Sequence, residues 1–476
     1  MRILLTADEG LFTEYGEKWW RGYVTCFPVE MICISTFDWY CPRISSEGEI
    51  AKRAPLSLRV IESVLRSSCC SESEVACVDP MNLEHFVGED TELVCVSVID
   101  PLGLGYITRS VSSHYGGTPY SRFLFYRLMR RIASLRASHD FMTLVGGPGA
   151  WQLKNDELMG DLGIDFLVIG ESERVLPTLV LDLLSGSIPT CRIWKGEKPI
   201  VSEILPIRGP ATNGMIEVSR GCSRHCAFCA TEYGRRDIEL STIVHSTMAT
   251  VRGGSKHLTL QSDDPLTYGS RRHEPDSDAV VGLLKETREA GAQDLSLLHT
   301  TFSSVASEPD LVPIVKEIMG EKAQRNLQIG LETGSPALME KHMSGKCLPF
   351  APDEWPEVVR SALDVLREND FSVLATLILG LPGETPQDVR ETRELLEGLK
   401  DQPVTFIPIF FFPMQECDSH DPRESSIRRL NGEHFMLMRE IRKHNANRLS
   451  PEMKDLLDLF PGALLDRKRR FDQKSL

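Results

Sequence analysis

The stretch RGCSRHCAFC, residues 220–229, decides how this chain is read. It sets Cys222, Cys226 and Cys229 in a C-x3-C-x2-C spacing directly after a β-rich run, MIEVSR (215–220). Thiolates hold iron–sulfur clusters, and a cubane ordinarily takes four protein cysteines. Three leave one iron open to an outside ligand. A structural zinc would call for a fourth Cys or His nearby. His225 stands between two of the cysteines, where a Cys3His site would be strained.

Outward from this loop, the second half alternates strand and helix patterns. Strands are predicted at 215–220, 257–262, 294–300, 326–332, 372–380 and 404–412, with amphipathic helices such as WPEVVRSALDVLREN (355–369) between them. Six parallel strands are too few for a closed eight-stranded barrel, so a partial (β/α)6 barrel is expected over 215–414. A small helical C-terminal segment follows at 415–476. The consecutive Phe410, Phe411 and Phe412 are expected in the core.

The first half reads as near-continuous Val/Ile/Leu strands at 2–7, 74–80, 91–100, 141–147 and 164–170, again separated by helices. That pattern predicts an α/β, doubly wound parallel sheet over 1–186, covered on both faces. Ligands of such sheets bind at the carboxyl ends of the strands, here the loops SVIDPLGLGY (97–106), GGPGAW (146–151) and GESE (170–173). Residues 187–214, punctuated by Pro and Gly, read as a linker with a short hairpin.

Composition bounds the rest. The chain has 476 residues, 41% hydrophobic and 25% charged, with a net charge of −15. It is too acidic for nonspecific binding of nucleic acid or anionic lipid. The one basic run, Arg467–Arg470, reads as a solvated tail. No export signal or membrane span is visible, so the 13 cysteines point to thiols and metal ligation in a cytoplasmic protein.

The cysteine loop after the first strand of a partial barrel, with Phe228 ahead of the last cysteine, resembles the radical S-adenosylmethionine superfamily. The resemblance implies a [4Fe–4S] cluster on Cys222, Cys226 and Cys229, with S-adenosylmethionine on the open iron through its amino and carboxylate groups. One electron, from a flavodoxin- or ferredoxin-type donor, then releases a 5′-deoxyadenosyl radical. QIGLETGSP (328–336) resembles the family's fourth barrel strand, with Glu332 facing S-adenosylmethionine. LILGLPGET (377–385) resembles the fifth strand and its turn. Phe228, Gln261 and Ser262 are the other implied contacts, and Ser262 with Gln261 would bond the amino group. Asp263 and Asp264 could equally be turn residues.

The first domain resembles the cobalamin-binding domain of one branch of this superfamily. PLSLRVIESVL, CVSVIDPLG, VGGPGAW and VIGESERVLPTLVLDLL follow that branch in order across 55–184. The resemblance implies cobalamin contacts from Ser97, Asp100, Leu102, Gly146, Gly147, Pro148, Gly170 and Glu171. Gly146 and Gly147, lacking Cβ, would let backbone approach the corrin. The D-x-H-x-x-G motif is absent, and His114 lacks the aspartate two residues before it. The lower face of cobalt is then free, on water, or met by a residue of the 97–106 loop.

Together the two resemblances imply methylation of an unactivated carbon, with S-adenosylmethionine as both radical source and methyl donor to cobalamin. The substrate would be a protein side chain or a small molecule. The whole chain resembles archaeal cobalamin-dependent radical enzymes, among them the glutamine C-methyltransferase of methyl-coenzyme M reductase. Natural-product methylation and ring-forming or ring-contracting chemistry share every motif. A methylthiotransferase would need three further cluster cysteines, and Cys26, Cys33 and Cys41 lack suitable spacing. A non-catalytic cobalamin sensor would not need Cys222, Cys226 and Cys229.

Overall fold

The computed structural model describes residues 1–16, 18–44, 48–231, 233–413, 430–446 and 448. Met414 to Arg429 and the basic run at 467–470 lie outside the described residues, and so does the side chain of His114.

Six strands, β1 (Ile3–Ala7), β2 (Val75–Cys77), β3 (Leu93–Ser97), β4 (Met142–Gly146), β5 (Phe166–Ile169) and β6 (Ile193–Lys195), form one parallel sheet ordered β2-β1-β3-β4-β5-β6. Successive side chains of a strand leave on opposite faces. Ile3, Leu5, Leu93 and Cys95 pack under helices Leu56–Ser68 and Leu176–Leu184, whereas Leu4, Val94 and Val96 pack under helix Tyr120–Arg136. Burial on both faces is why these strands are apolar throughout. The hairpin expected in 187–214 is instead a single strand, β6, parallel to β5. The first sheet therefore runs past residue 186.

The second half forms β7 (Met215–Glu217), a short antiparallel pair of β8 (Ser219–Arg220) and β9 (Arg236–Asp237), β10 (His257–Gln261), β11 (Asp294–Leu297), β12 (His299–Thr300), β13 (Asn326–Glu332), β14 (Ser372–Leu379) and β15 (Val404–Phe410). The parallel ladders run β7-β10-β11 and β12-β13-β14-β15, separated only by Leu298. This six-stranded arc is the expected partial barrel, with Phe410, Phe411 and Phe412 in its core. The run 215–220 is divided at Val218 between the barrel strand and the cysteine-loop pair.

An open barrel leaves an edge strand whose unpaired backbone groups need partners. On β15 these come from side chains. Asn445, in helix Gly432–Asn445, donates to Phe406 O at 2.8 Å and accepts from Phe406 N at 3.1 Å. Ser110, in helix Tyr106–Tyr115 of the first domain, accepts from Phe410 N at 2.9 Å. The first domain and the C-terminal helix thus both close the barrel edge. Residues between β1 and helix Leu56–Ser68 pack on this first-domain helix through Val24, Phe27, Phe37 and Val111.

Candidate cluster and cofactor site

The cysteine loop is held from three directions. Gly221, at φ +74°, turns the chain out of β8, and His225 adopts φ +52° within the loop. Cys222 and Cys229 sulfurs accept from the backbone N–H groups of Arg224 and Thr231 at 3.4 and 3.3 Å. Such bonds stabilise thiolate charge and tune a cluster. Arg224, buried between two of the cysteines, reaches Ser304 at 2.9 Å, Thr301 at 3.2 Å and the His273 carbonyl at 3.1 Å. Asp264 receives hydrogen bonds from Thr300, Thr301 and Ser304, so it anchors this buried network. Burial pushes the Cys226 thiol up to about 12 while it is unligated.

Helix Pro336–Cys347 supplies the facing wall. It is non-helical at Met343 (φ −155°), and the carbonyl of His342 accepts from Ala227 N at 2.8 Å. Gly345 is obligatory, because a Cβ there would lie 1.9 Å from the Arg224 carbonyl oxygen. Lys346 follows, with Nζ 2.7 Å from Glu332 Oε1. Thr376 donates to the other Glu332 oxygen at 3.1 Å. Glu332 sits at φ +66°, beside a register irregularity in β13. A non-glycine residue held there marks strain maintained by its surroundings.

The remaining expected contacts divide. Gln261 points its Oε1 to no partner, and Phe228 is half-buried against the barrel core. Ser262 is buried and already engaged, its hydroxyl 2.6 Å from Ser219 Oγ. Asp263 is exposed and carries no hydrogen bond or ion pair among the described residues, while burial by surrounding atoms and the Asp264 charge push it up to about 6. Tyr106 keeps 49% of its surface free, yet burial pushes its phenol well above the ordinary range, with Cys229, Glu332 and Asp263 nearby. Tyr23 lies near Tyr106 and donates to Gln328 at 2.9 Å. Sequence reasoning named the loop ending at Tyr106 without singling out that residue, and it did not assign Tyr23, because nothing local to 19–26 signals a barrel opposite.

In the first domain, Ser97 bonds Ser57 at 2.8 Å. Asp100 accepts from Gly105 N, Thr108 and Gln152 at 2.9, 2.6 and 2.7 Å, which folds the loop after β3. Leu102 N donates to Gln152, and Pro148 is exposed. Gly147 is closed on its Cβ side. A Cβ on it would lie 2.7 Å from the Val98 carbonyl, so its missing side chain accommodates the protein's own backbone. Gly149 and Gly196 do the same against Ile99 and Glu171. Gly146 has nothing nearer than 3.7 Å and stays open, and Gly170 touches only Gly196 at 3.8 Å. Glu171 is tied up by Arg220, at 2.7 Å, and by Arg236. On the same strand ends, Ile99 and Leu104 expose 53% and 38% of their surfaces beside Tyr106.

Residues 216–396 match the Radical SAM superfamily. They form a radical S-adenosylmethionine domain. Such a domain implies a [4Fe–4S] cluster and S-adenosylmethionine as cofactors, and the cysteine loop fits the cluster. Its three sulfurs are half-buried on one loop, two already accept N–H bonds, and a buried ammonium stands beside them. No three His, Cys, Asp or Glu side chains among the described residues converge as ligands of one ion. A cubane instead takes each thiolate on a separate iron.

The chain is similar in fold to the radical S-adenosylmethionine methyltransferase TsrM from Kitasatospora setae, whose structure was solved with cobalamin and a [4Fe–4S] cluster bound. The TM-score is 0.55 at 18% identity, over 86% of this chain and 75% of that one. By sequence, the chain is 22% identical over 287 residues to the tRNA-2-methylthio-N(6)-dimethylallyladenosine synthase of Syntrophomonas wolfei. It is 26% identical over 197 residues to the ribosomal protein uS12 methylthiotransferase RimO of Leptospira biflexa. These matches cover 59% and 40% of this chain, and 62% and 41% of those relatives. Beside the radical domain, none of the described helices is long and apolar enough to cross a membrane.

Proposed function

We propose that this protein is a cobalamin-dependent radical S-adenosylmethionine C-methyltransferase. The observation that carries the reading is that the strand-end loops of the first sheet meet the cysteine loop: Glu171 pairs at 2.7 Å with Arg220, two residues ahead of Cys222, and Tyr106 lies near Cys229 and Glu332. The loop after β3 leaves Ile99, Leu104 and Tyr106 exposed. An uncovered apolar surface at these strand ends fits a large flat cofactor. When bound, the cofactors supply a 5′-deoxyadenosyl radical from S-adenosylmethionine and a methyl group from cobalamin.

The chain's own residues bind and orient. Cys222, Cys226 and Cys229 hold the cluster. Asp263, unpaired beside them, accepts the ligand's ammonium, and Gln261 offers a further acceptor. Gly146 and Gly170 leave the strand ends open to the corrin, and Ile99 and Leu104 cover it. Tyr23, from the first half, donates to Gln328 of β13, which pairs with His299 of β12, and a substrate would be seated against these residues. A flavodoxin- or ferredoxin-type protein supplies the electron.

The similarity to methylthiotransferases favours a second reading, transfer of a methylthio group to tRNA. Against it, Cys26, Cys33 and Cys41 have separate surroundings. Cys26 lies beside Thr108 and Asp100, Cys33 faces outward beside Ser35 and Thr36, and Cys41 bonds the Arg21 carbonyl.

Anaerobic turnover with methyl-deuterated S-adenosylmethionine separates the readings. The candidate substrates are a glutamine peptide of methyl-coenzyme M reductase, small heteroaromatic acceptors and tRNA. Methyl transfer through cobalamin yields S-adenosylhomocysteine and 5′-deoxyadenosine in about a one-to-one ratio, with an intact trideuteromethyl on carbon. A product gaining methylthio mass, or deoxyadenosine without S-adenosylhomocysteine, rejects it.

A further inference from the structure

We propose that Lys346 and Glu332 form a charge-setting pair for the iron–sulfur site, with the Lys346 ammonium raising the reduction potential of the cluster and the Glu332 carboxylate lowering it. The inference rests on Cys222, Cys226 and Cys229 holding the cluster, which iron and sulfide analysis tests separately.

Three close packings fix the pair beside the cysteine loop. Gly345 lies against the Arg224 carbonyl with no room for a Cβ. The break at Met343 presents the His342 carbonyl to Ala227 N at 2.8 Å. The Lys346 carbonyl accepts from Ser303 at 2.8 Å, so the segment cannot slide along the helix axis. Space for the side chains comes from the opposite strand. A Cβ on Gly330 would lie 1.9 Å from Glu332 Oε1 and 2.3 Å from Lys346 Nζ. The glycine is thus required by the ion pair itself, a reason distinct from any turn.

Both side chains are about nine-tenths buried, at 10% and 8% exposure. Charges there are weakly screened, and both act on the Cys226 thiol, Lys346 favouring the thiolate and Glu332 opposing it. Net charge around a cluster is one of the determinants of its potential. Lys346 and Glu332 together contribute none. Each alone contributes one unit, of opposite sign. A pair kept only for stability would give no reason for this placement, because a buried ion pair is weak stabilisation compared with packed apolar groups.

The test is a redox titration of the cluster in the reconstituted full chain, followed by electron paramagnetic resonance without S-adenosylmethionine. Lys346→Met is expected to move the midpoint negative. Glu332→Gln, which keeps the shape of the site, is expected to move it positive, and the double variant returns it toward the parent value. Each variant is first checked for full iron and sulfide content. A Lys346→Met protein that does not load leaves the Glu332→Gln shift to decide. Single variants that move the midpoint in the same direction would mean loosened structure and overturn the proposal. Unmoved midpoints with weakened S-adenosylmethionine binding would also overturn it, making Lys346 a ligand contact only.

Discussion

Arg220, two residues before the first cluster cysteine, lies 2.7 Å from Glu171 at the carboxyl end of the first sheet. The same guanidinium reaches Glu173 and, at 2.9 Å, Glu217. Arg236, on the partner strand β9, takes the other oxygen of Glu171. Two arginines and three carboxylates therefore tie the loop after β5 to the base of the cysteine loop. Burial opposes the Arg220 charge, but its three carboxylate partners hold its proton above the ordinary range. Glu171 thus serves domain registration, which its expected place as a cobalamin contact did not foresee.

Arg220→Met should leave three carboxylates short of a partner and cost on the order of 3 kcal/mol, as for other buried pairs broken on one side. With the two cofactors no longer in register, deoxyadenosine should exceed S-adenosylhomocysteine. Thermal unfolding and coproduct ratios check both. A ratio unchanged from the parent would exclude a registering role.

Replacing Cys222, Cys226 and Cys229 by Ala should remove about four irons and four sulfides per chain. The charge-transfer absorbance should vanish, and S-adenosylmethionine cleavage with it. Cobalamin binding should persist, because the first sheet folds around its own core.

Glycine variants separate packing from ligand approach. Gly147→Ala forces a Cβ to 2.7 Å from the Val98 carbonyl at φ +103°, and should cost about 2 kcal/mol or more of first-domain stability. Gly146→Ala meets nothing closer than 3.7 Å and should leave the melting temperature unchanged while weakening cobalamin retention. Equal retention by Gly146→Ala and the parent would remove Gly146 from the corrin site.

Asp263 titrates at about 6, raised by burial and by Asp264. Its folded value lies above the unfolded one of about 3.9. The ionised carboxyl therefore costs stability above pH 6, and that cost disappears as pH falls through the interval. Only the ionised form pairs with an ammonium, so S-adenosylmethionine affinity should fall as pH drops below about 6. Asp263→Asn should bind weakly and lose this pH dependence, while its apo form melts higher at pH 8. Calorimetric titration between pH 5 and 8 reads both.

Much of this protein follows from local sequence. Strands buried on two faces must be apolar throughout, so β1, β3 and β13 are legible as runs. Thr385 ahead of Pro386 announces a helix start, and in the structure the Thr385 side chain accepts from Asp388 N. The cysteine spacing points to the cluster because its three ligands lie within one loop. β6 is different, since a three-residue strand among prolines gains its identity only from pairing with β5. The pairs that build the site are likewise distant in sequence. Lys346 meets Glu332 across a helix kink, Arg220 meets Glu171 across two domains, and Tyr106 lies near Cys229 from a helix of the first domain. A charge or glycine read along the chain shows what it can do, but not which partner surrounds it. Partnership was decided by close packing, where a carbonyl against Gly345 or Gly147 leaves one arrangement with room for every atom.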